Sequence, residues 1–496
     1  MGMTDQSSWI AFARLTTCTL QVILPEGCTT ANPGLSNCAN ERGYLFSSNE
    51  SISWSTSRLP NEGLFNLITF EEGLLGLTGN ANYGFDTITL GLQGSGLPTL
   101  QKQLVAGIAT NNYWLGSLGL SPVPFNFTDL NDPIPSLLTN LKTEGHIPSL
   151  SWGYTAGASY QDPPVYGSLV LGGYDTTRFS ISNTLPNIPF GADFSRDLLV
   201  SLQSITFDTV GSSPLLASSI YVFVDSMVSH LYLPIQVCLA FEQAFDLTWN
   251  ETNQLYLVNE TVHSALLDQN PTFTFTFTSA GQNVDITIPY AAFDLEISEI
   301  AIVSGTNGYA PKGTSTDKSR YFPLKQARND SQYTLGRVFL QEAYITADYE
   351  RHNFSISQAE FPSTSVQENL VPILPASAET DDSNRSSISG GAIAGIVIGA
   401  VVILAVAALV IWFLRRNKRK ARQPPDPTVY SELPKHHGHE LDDVDHRRFE
   451  MENTDARREL EGYDGGINRY KDSRRAYEMG AKETPAAELE GSSWRR

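Results

Sequence analysis

Cysteine is scarce in this chain, with four in 496 residues, which excludes a disulfide-dense scaffold and leaves stability to a hydrophobic core. Helical periodicity is scarce as well. No glycine-rich phosphate loop, nucleophile elbow or Cys-x-x-Cys is present, so the commonest nucleotide, acyl-transfer and thiol redox chemistries have no anchor. Basic residues are outnumbered, 33 Lys and Arg against 53 Asp and Glu for a net charge of −20, and an acidic protein of this kind is not a nucleic-acid binder. Histidine offers one metal-like cluster, His436, His437 and His439, but it lies in a charged, low-complexity stretch that reads as a solvated run. Neither metal nor cofactor is expected. A secretory leader is also missing, because the first eighteen residues carry Asp5 and no apolar core. The natural start is therefore expected to differ from Met1.

One long apolar run is present. Residues 390–414 contain no charged side chain, and at ~1.5 Å per residue they exceed the ~30 Å hydrocarbon core of a bilayer. Arg415, Arg416, Lys418, Arg419, Lys420 and Arg422 follow at once, a cationic flank that stays on the cytoplasmic side. The expected topology is a single-pass plasma-membrane protein with residues 1–389 outside. Seven Asn-x-Ser/Thr sequons, at Asn49, Asn126, Asn250, Asn259, Asn329, Asn353 and Asn384, all precede the run, as glycosylation in the secretory lumen requires. Gly391, Gly395 and Gly399 line one face of the span, a spacing that permits self-association in lipid.

Between residues 20 and 362 the text is strand-like, with runs such as Leu20–Leu24, Phe85–Leu90, Ser168–Leu171, Thr272–Thr278 and Val284–Pro289 cut by Gly, Pro and Asn. A few short helices are expected, the better cases being Pro135–Glu144 and Pro234–Asp246, the second opened by its proline. An all-β body follows, long enough for two lobes with their own cores. Residues 363–389, rich in Ser, Pro and acid, read as a stalk, and residues 415–496 as a disordered cytoplasmic tail, with 18 Lys/Arg against 17 Asp/Glu.

Several segments together resemble the pepsin-like aspartic peptidases, in the subgroup tethered to fungal surfaces by a carboxy-terminal span. They are Leu20–Cys28, Tyr44–Ser55, Tyr83–Leu90, Trp114–Leu120, Gly167–Asp175 and Tyr333–Tyr349. The resemblance implies a bilobal, all-β acid-protease fold, shortened at its amino end, with one lobe in residues 1–180 and the other in 181–362. It also implies a peptide or protein as substrate or ligand. Cys28 and Cys38 would close the family's small disulfide loop, leaving Cys18 and Cys238 as buried thiols.

That family's chemistry needs two carboxylates sharing one proton, one activating water while the other protonates the carbonyl oxygen. Each sits in an Asp-Thr/Ser-Gly turn. Ile220–Pro234 supplies one such turn, in which Asp225 matches the catalytic aspartate and Ser226 the hydroxyl that braces it. Met227 stands where the family has glycine, so the carboxylate's backbone cradle is expected to be displaced. The first turn is absent: its aspartate would fall seven residues before Gln21, at Arg14, and where a flap tyrosine is expected the chain has Leu74 and Leu75. The sequence thus implies an aspartic endopeptidase body with impaired or lost activity, or a surface protein that uses its cleft only to bind.

Overall fold

Alternation decides the hairpin of residues 272–289. Residues 272–279 place Phe273, Phe275 and Phe277 fully inside while the intervening threonines stay half-exposed, and Val284, Ile286 and Ile288 answer from the partner strand. This is the period of two that a sheet with one wet face imposes. Burying each phenylalanine contributes roughly 1.5–3 kcal/mol.

The computed structural model describes residues 12–14, 19–67, 69–91, 95–127, 132–208, 214–251, 254–298, 318–363 and 366–376. Cys18, Asn384, the expected span at 390–414 with Gly391, Gly395 and Gly399, and the tail with His436, His437 and His439 lie outside them. Among the described residues no helix is long and apolar enough to cross a membrane.

The first half contains β1 (Phe12–Arg14), β2 (Leu20–Ile23), β3 (Leu64–Asn66), β4 (Asn80–Thr89), β5 (Thr99–Ile108) and β6 (Ser117–Gly119). They form one sheet in the order β1-β6-β2-β5-β4-β3. Next come β7 (Ser151–Ala158), β8 (Val165–Leu171), β9 (Gly173–Asp175) and β10 (Phe179–Pro189). The second half runs through β11 (Leu199–Phe207), β12 (Ile220–Val224), β13 (Leu231–Pro234), β14 (Thr248–Asn250), β15 (Leu255–Val258), β16 (Thr272–Ser279) and β17 (Gln282–Pro289). It continues with β18 (Leu295–Ser298), β19 (Lys318–Phe322), β20 (Leu324–Ala327) and β21 (Thr334–Leu335), before β22 (Ala343–Asp348), β23 (Asn353–Ala359) and β24 (Leu370–Pro372) close the body.

A seven-stranded sheet, β17-β16-β11-β12-β21-β13-β20, forms the second lobe. A five-stranded sheet, β10-β23-β22-β7-β8, joins strands from both halves of the chain, so the two lobes share a floor instead of meeting through a linker. One apolar cluster fills this floor and the second lobe. A second fills the first lobe and includes Met227 and Val228 from the other side. β24 lies within the stretch read as a stalk and pairs with β9, while Asn369 N donates to Asp175 Oδ1.

Helices are few and short. α1 (Glu26–Thr29) and α2 (Cys38–Glu41) carry the Cys28–Cys38 disulfide, with Cα atoms 5.7 Å apart. α3 (Phe70–Leu74) interrupts the β3–β4 connection. α4 (Leu137–Thr143) starts where Ser136 accepts from Thr139 N, and it buries Leu137, Leu138 and Leu141. α5 (Ile235–Phe245) follows Pro234, which caps the helix from outside it, and stops at Asp246 with φ +48°. Cys238 lies buried and unoxidised in this helix. α6 (Glu260–Gln269) was not expected. It is framed by two asparagines, Asn259 accepting from Val262 N and Asn270 in the left-handed region. α7 (Arg337–Leu340) follows β21 directly.

Candidate active site

β12 is apolar because sheet neighbours cover it on both sides: Val222, Phe223 and Val224 are fully buried between β11 and β21. The strand ends at Asp225, whose N–H donates to Leu335 O at 3.1 Å. Asp225 and Ser226 are both completely buried. The chain then turns and returns as β13, and β21 lies between the outgoing and returning strands, parallel to one and antiparallel to the other. Gly336 has to be glycine here. A Cβ would lie 2.4 Å from Val228 O and 2.5 Å from His230 O, inside contact distance of backbone that cannot move away. Arg337 secures the turn from below, its Nη1 donating to Ser226 O at 2.7 Å and Met227 O at 3.1 Å.

The expectation that Met227 disrupts the carboxylate's cradle is corrected by the structure. Met227 N donates to Asp225 Oδ1 at 2.8 Å, so the backbone donor is in place. Met227 is not among the residues with positive φ, and a side chain costs nothing in that conformation. The thioether is 8% exposed and packs into the first lobe's cluster with Leu75, Leu77 and Tyr113. Methionine therefore joins the two lobes where the family's glycine would leave a gap.

The first lobe repeats the same arrangement without the acid. β6 stands between β1 and β2 as β21 stands between β12 and β13, parallel to the first and antiparallel to the second. Phe12 pairs with Ser117 and Ala13 with Leu118, as Phe223 pairs with Thr334 and Val224 with Leu335. On the return, Gln21 pairs with Ser117 as Tyr232 pairs with Thr334. The register puts Arg14 at the place of Asp225. Each stands seven residues before its return-strand partner, 14 to 21 and 225 to 232.

Sequence reading missed one buried acid beside this turn. Leu199 pairs with Phe223, and Val224 N donates to Leu198 O, so Asp197 is the next residue alongside Asp225 in the strand register. Its carboxyl accepts from Leu198 N at 2.9 Å and from Tyr349. Burial pushes its pKa up to about 7 against those hydrogen bonds. Nothing local in the sequence marks it, because only the meeting of β11, β12 and the Tyr349 segment buries it.

Leu74 and Leu75 do not form a hairpin tip. Leu74 ends α3 with 44% exposure, and Leu75 is buried in the first lobe's cluster. The β3–β4 connection instead reaches the second lobe. Glu71 pairs with Arg196 at 2.9 Å and accepts from Ser195 Oγ at 3.2 Å, while Gln332 Nε2 donates to Leu74 O at 2.6 Å.

Of the sequons, Asn49, Asn259 and Asn329 are exposed, whereas Asn126, Asn250 and Asn353 are half-buried. Among the described residues no three His, Cys, Asp or Glu side chains come together as metal ligands.

Residues 116–360 match the family model of the eukaryotic aspartyl proteases. The match includes the Asp225 turn and begins beyond Arg14. The chain is 26% identical over 274 residues to Candidapepsin of Candida tropicalis, covering 55% of this chain and 58% of that protein. It is also 26% identical over 302 residues to the probable aspartic-type endopeptidase OPSB of Arthroderma otae, covering 58% of this chain and 56% of that protein. It thus spans a little over half the length of these curated relatives. Among solved structures, the aspartic proteinase from Irpex lacteus aligns with 58% of this chain and 81% of its own at 19% identity and a TM-score of 0.39.

Proposed function

The chain belongs to the pepsin-like aspartic protease family, and from that premise we propose that it is a cell-surface member whose cleft binds peptide chains without hydrolysing them. The body stands outside the membrane on the span at 390–414, with the tail in the cytoplasm. One observation carries the loss of hydrolysis, namely the register that sets Arg14 where the partner of Asp225 belongs. Acid proteolysis needs a proton shared between two carboxylates, so that one group takes a proton from water while the other gives one to the substrate. Arginine stays protonated at every relevant pH and can do neither.

The half that survives is well formed. Asp225 keeps its backbone donor, and Arg337 keeps the turn braced. What remains is a turn that keeps its fold but cannot activate water. The test is acid-pH turnover of a broad peptide library by the detergent-solubilised full chain, beside the Asp225→Asn variant. Saturable binding of a transition-state-mimicking peptide inhibitor with no turnover from either protein is expected. Turnover that the inhibitor blocks and Asp225→Asn abolishes would restore the chain to the active enzymes.

A further inference from the structure

Beneath the Asp225 turn, residues from both lobes enclose a cavity of about 220 Å³. Tyr113 and Trp114 enter from the first lobe, and Met227, His230, Lys325 and Arg337 from the second. Two of these are cations, and no Asp or Glu stands among the lining residues. Both are held by the fold. Arg337 is tied to the carbonyls of Ser226 and Met227, and Lys325 sits on β20 opposite Tyr232 at 9% exposure. Burial brings the ammonium of Lys325 down to about 8, and burial together with Lys325 and Arg337 keeps the His230 imidazole well below its ordinary value. His230, Lys325 and Arg337 line the same recess. Like charges collected in a low-dielectric recess favour an anion.

The walls narrow the kind of anion. Tyr113, Trp114 and Met227 present carbon and ring surface to the same space, which suits an organic anion with an apolar body better than a fully hydrated inorganic one. We propose that this cavity is a carboxylate-binding site, taking either a small organic acid or the C-terminal residue of a peptide. The cavity shares Met227 and Arg337 with the Asp225 turn, and the proposal stands whether or not that turn supports hydrolysis.

The probes are N-acetyl-leucine, its uncharged amide N-acetyl-leucinamide, and sodium acetate, each titrated calorimetrically into the detergent-solubilised full chain at pH 5 and fixed ionic strength. The variants are Lys325→Met and Asn112→Asp. Asn112 lines the same cavity, is half-buried and donates from Nδ2 to Thr78 O at 2.6 Å, so Asn112→Asp puts a negative charge in the wall at the cost of that hydrogen bond, and its thermal unfolding beside the unsubstituted protein checks that the wall is kept. Saturable binding of N-acetyl-leucine, absent for the amide and weakened about tenfold or more in either variant, is the expected result. Acetate binding as tightly as N-acetyl-leucine would assign the site to free acids. Markedly weaker acetate binding would assign it to peptide C-termini. If Lys325→Met does not fold, Asn112→Asp alone decides. Equal binding of acid and amide, no saturable binding of either acid, or an Asn112→Asp protein that binds like the unsubstituted one overturns the proposal.

Discussion

Glu71 of the first lobe and Arg196 of the second meet at 2.9 Å, with side chains 8% and 15% exposed. Burial raises the Glu71 pKa even against the attraction of Arg196, so the pair adds little net stability and mainly fixes where the β3–β4 connection lies. Its two ends are unequal. Arg196 also donates to Ser331 O at 2.6 Å and lies over the Phe223 ring. Removing it strands a buried carboxylate.

Arg196→Met is therefore expected to destabilise by about 3 kcal/mol or more and Glu71→Gln by about 1 kcal/mol. Thermal unfolding of both variants at pH 7 checks this. Equal losses would mean that the asymmetry of contacts has no energetic weight.

Two buried carboxyls set the pH dependence of stability. Burial pushes both Asp197 and Glu342 up to about 7. Between about pH 4 and 7 the folded state then binds protons at these two groups that the unfolded state has lost, so their contribution to stability is fully present below about pH 4 and is lost as pH rises through 7. Tm is expected to be higher at pH 5 than at pH 8, with a shallower slope in Asp197→Asn and Glu342→Gln. A Tm that climbs from pH 5 to pH 8 and is indifferent to both substitutions contradicts the assignment.

Topology has its own test. Sequons at the exposed Asn49, Asn259 and Asn329 and the one-sided basic flank of residues 390–414 predict a glycosylated ectodomain. Glycosidase treatment should lower the apparent mass, and protease added to intact cells should leave a fragment with the span and tail. A carboxy-terminal epitope reachable without permeabilisation reverses this orientation.

Local pattern made much of the body legible. The strands expected near 20–24, 85–90, 168–171, 272–278 and 284–289 are present, because alternation and β-branched or aromatic runs are local signals. α4 and α5 were legible from helical periodicity and, for α5, from the proline that precedes it. α6 escaped because its ends are marked by Asn259 and Asn270, residues that also mark loops. The Glu71–Arg196 contact and the burial of Asp197 join segments far apart in the chain, and no periodicity reports that. At Met227 the pattern Asp-Thr/Ser-Gly implies a backbone requirement for glycine, whereas the turn here keeps its donor without a left-handed residue.

That correction yields the sharpest prediction. If methionine strained the turn, Met227→Gly would relax it and stabilise the protein. The structure argues the opposite. Met227 is outside the left-handed region, so glycine gains no conformational relief, and its extra freedom in the unfolded chain costs about 0.5–1 kcal/mol. The side chain is buried with Leu75, Leu77 and Tyr113, and truncating a buried methionine costs about 2–5 kcal/mol. Met227→Gly is expected to destabilise by about 3 kcal/mol or more, and Met227→Leu, which keeps volume, by less than about 1.5 kcal/mol. Urea unfolding of the two variants beside the unsubstituted protein separates the cases. A glycine variant as stable as its parent would mean that the methionine does not fasten the second turn to the first lobe, and the strained turn inferred from the sequence would return.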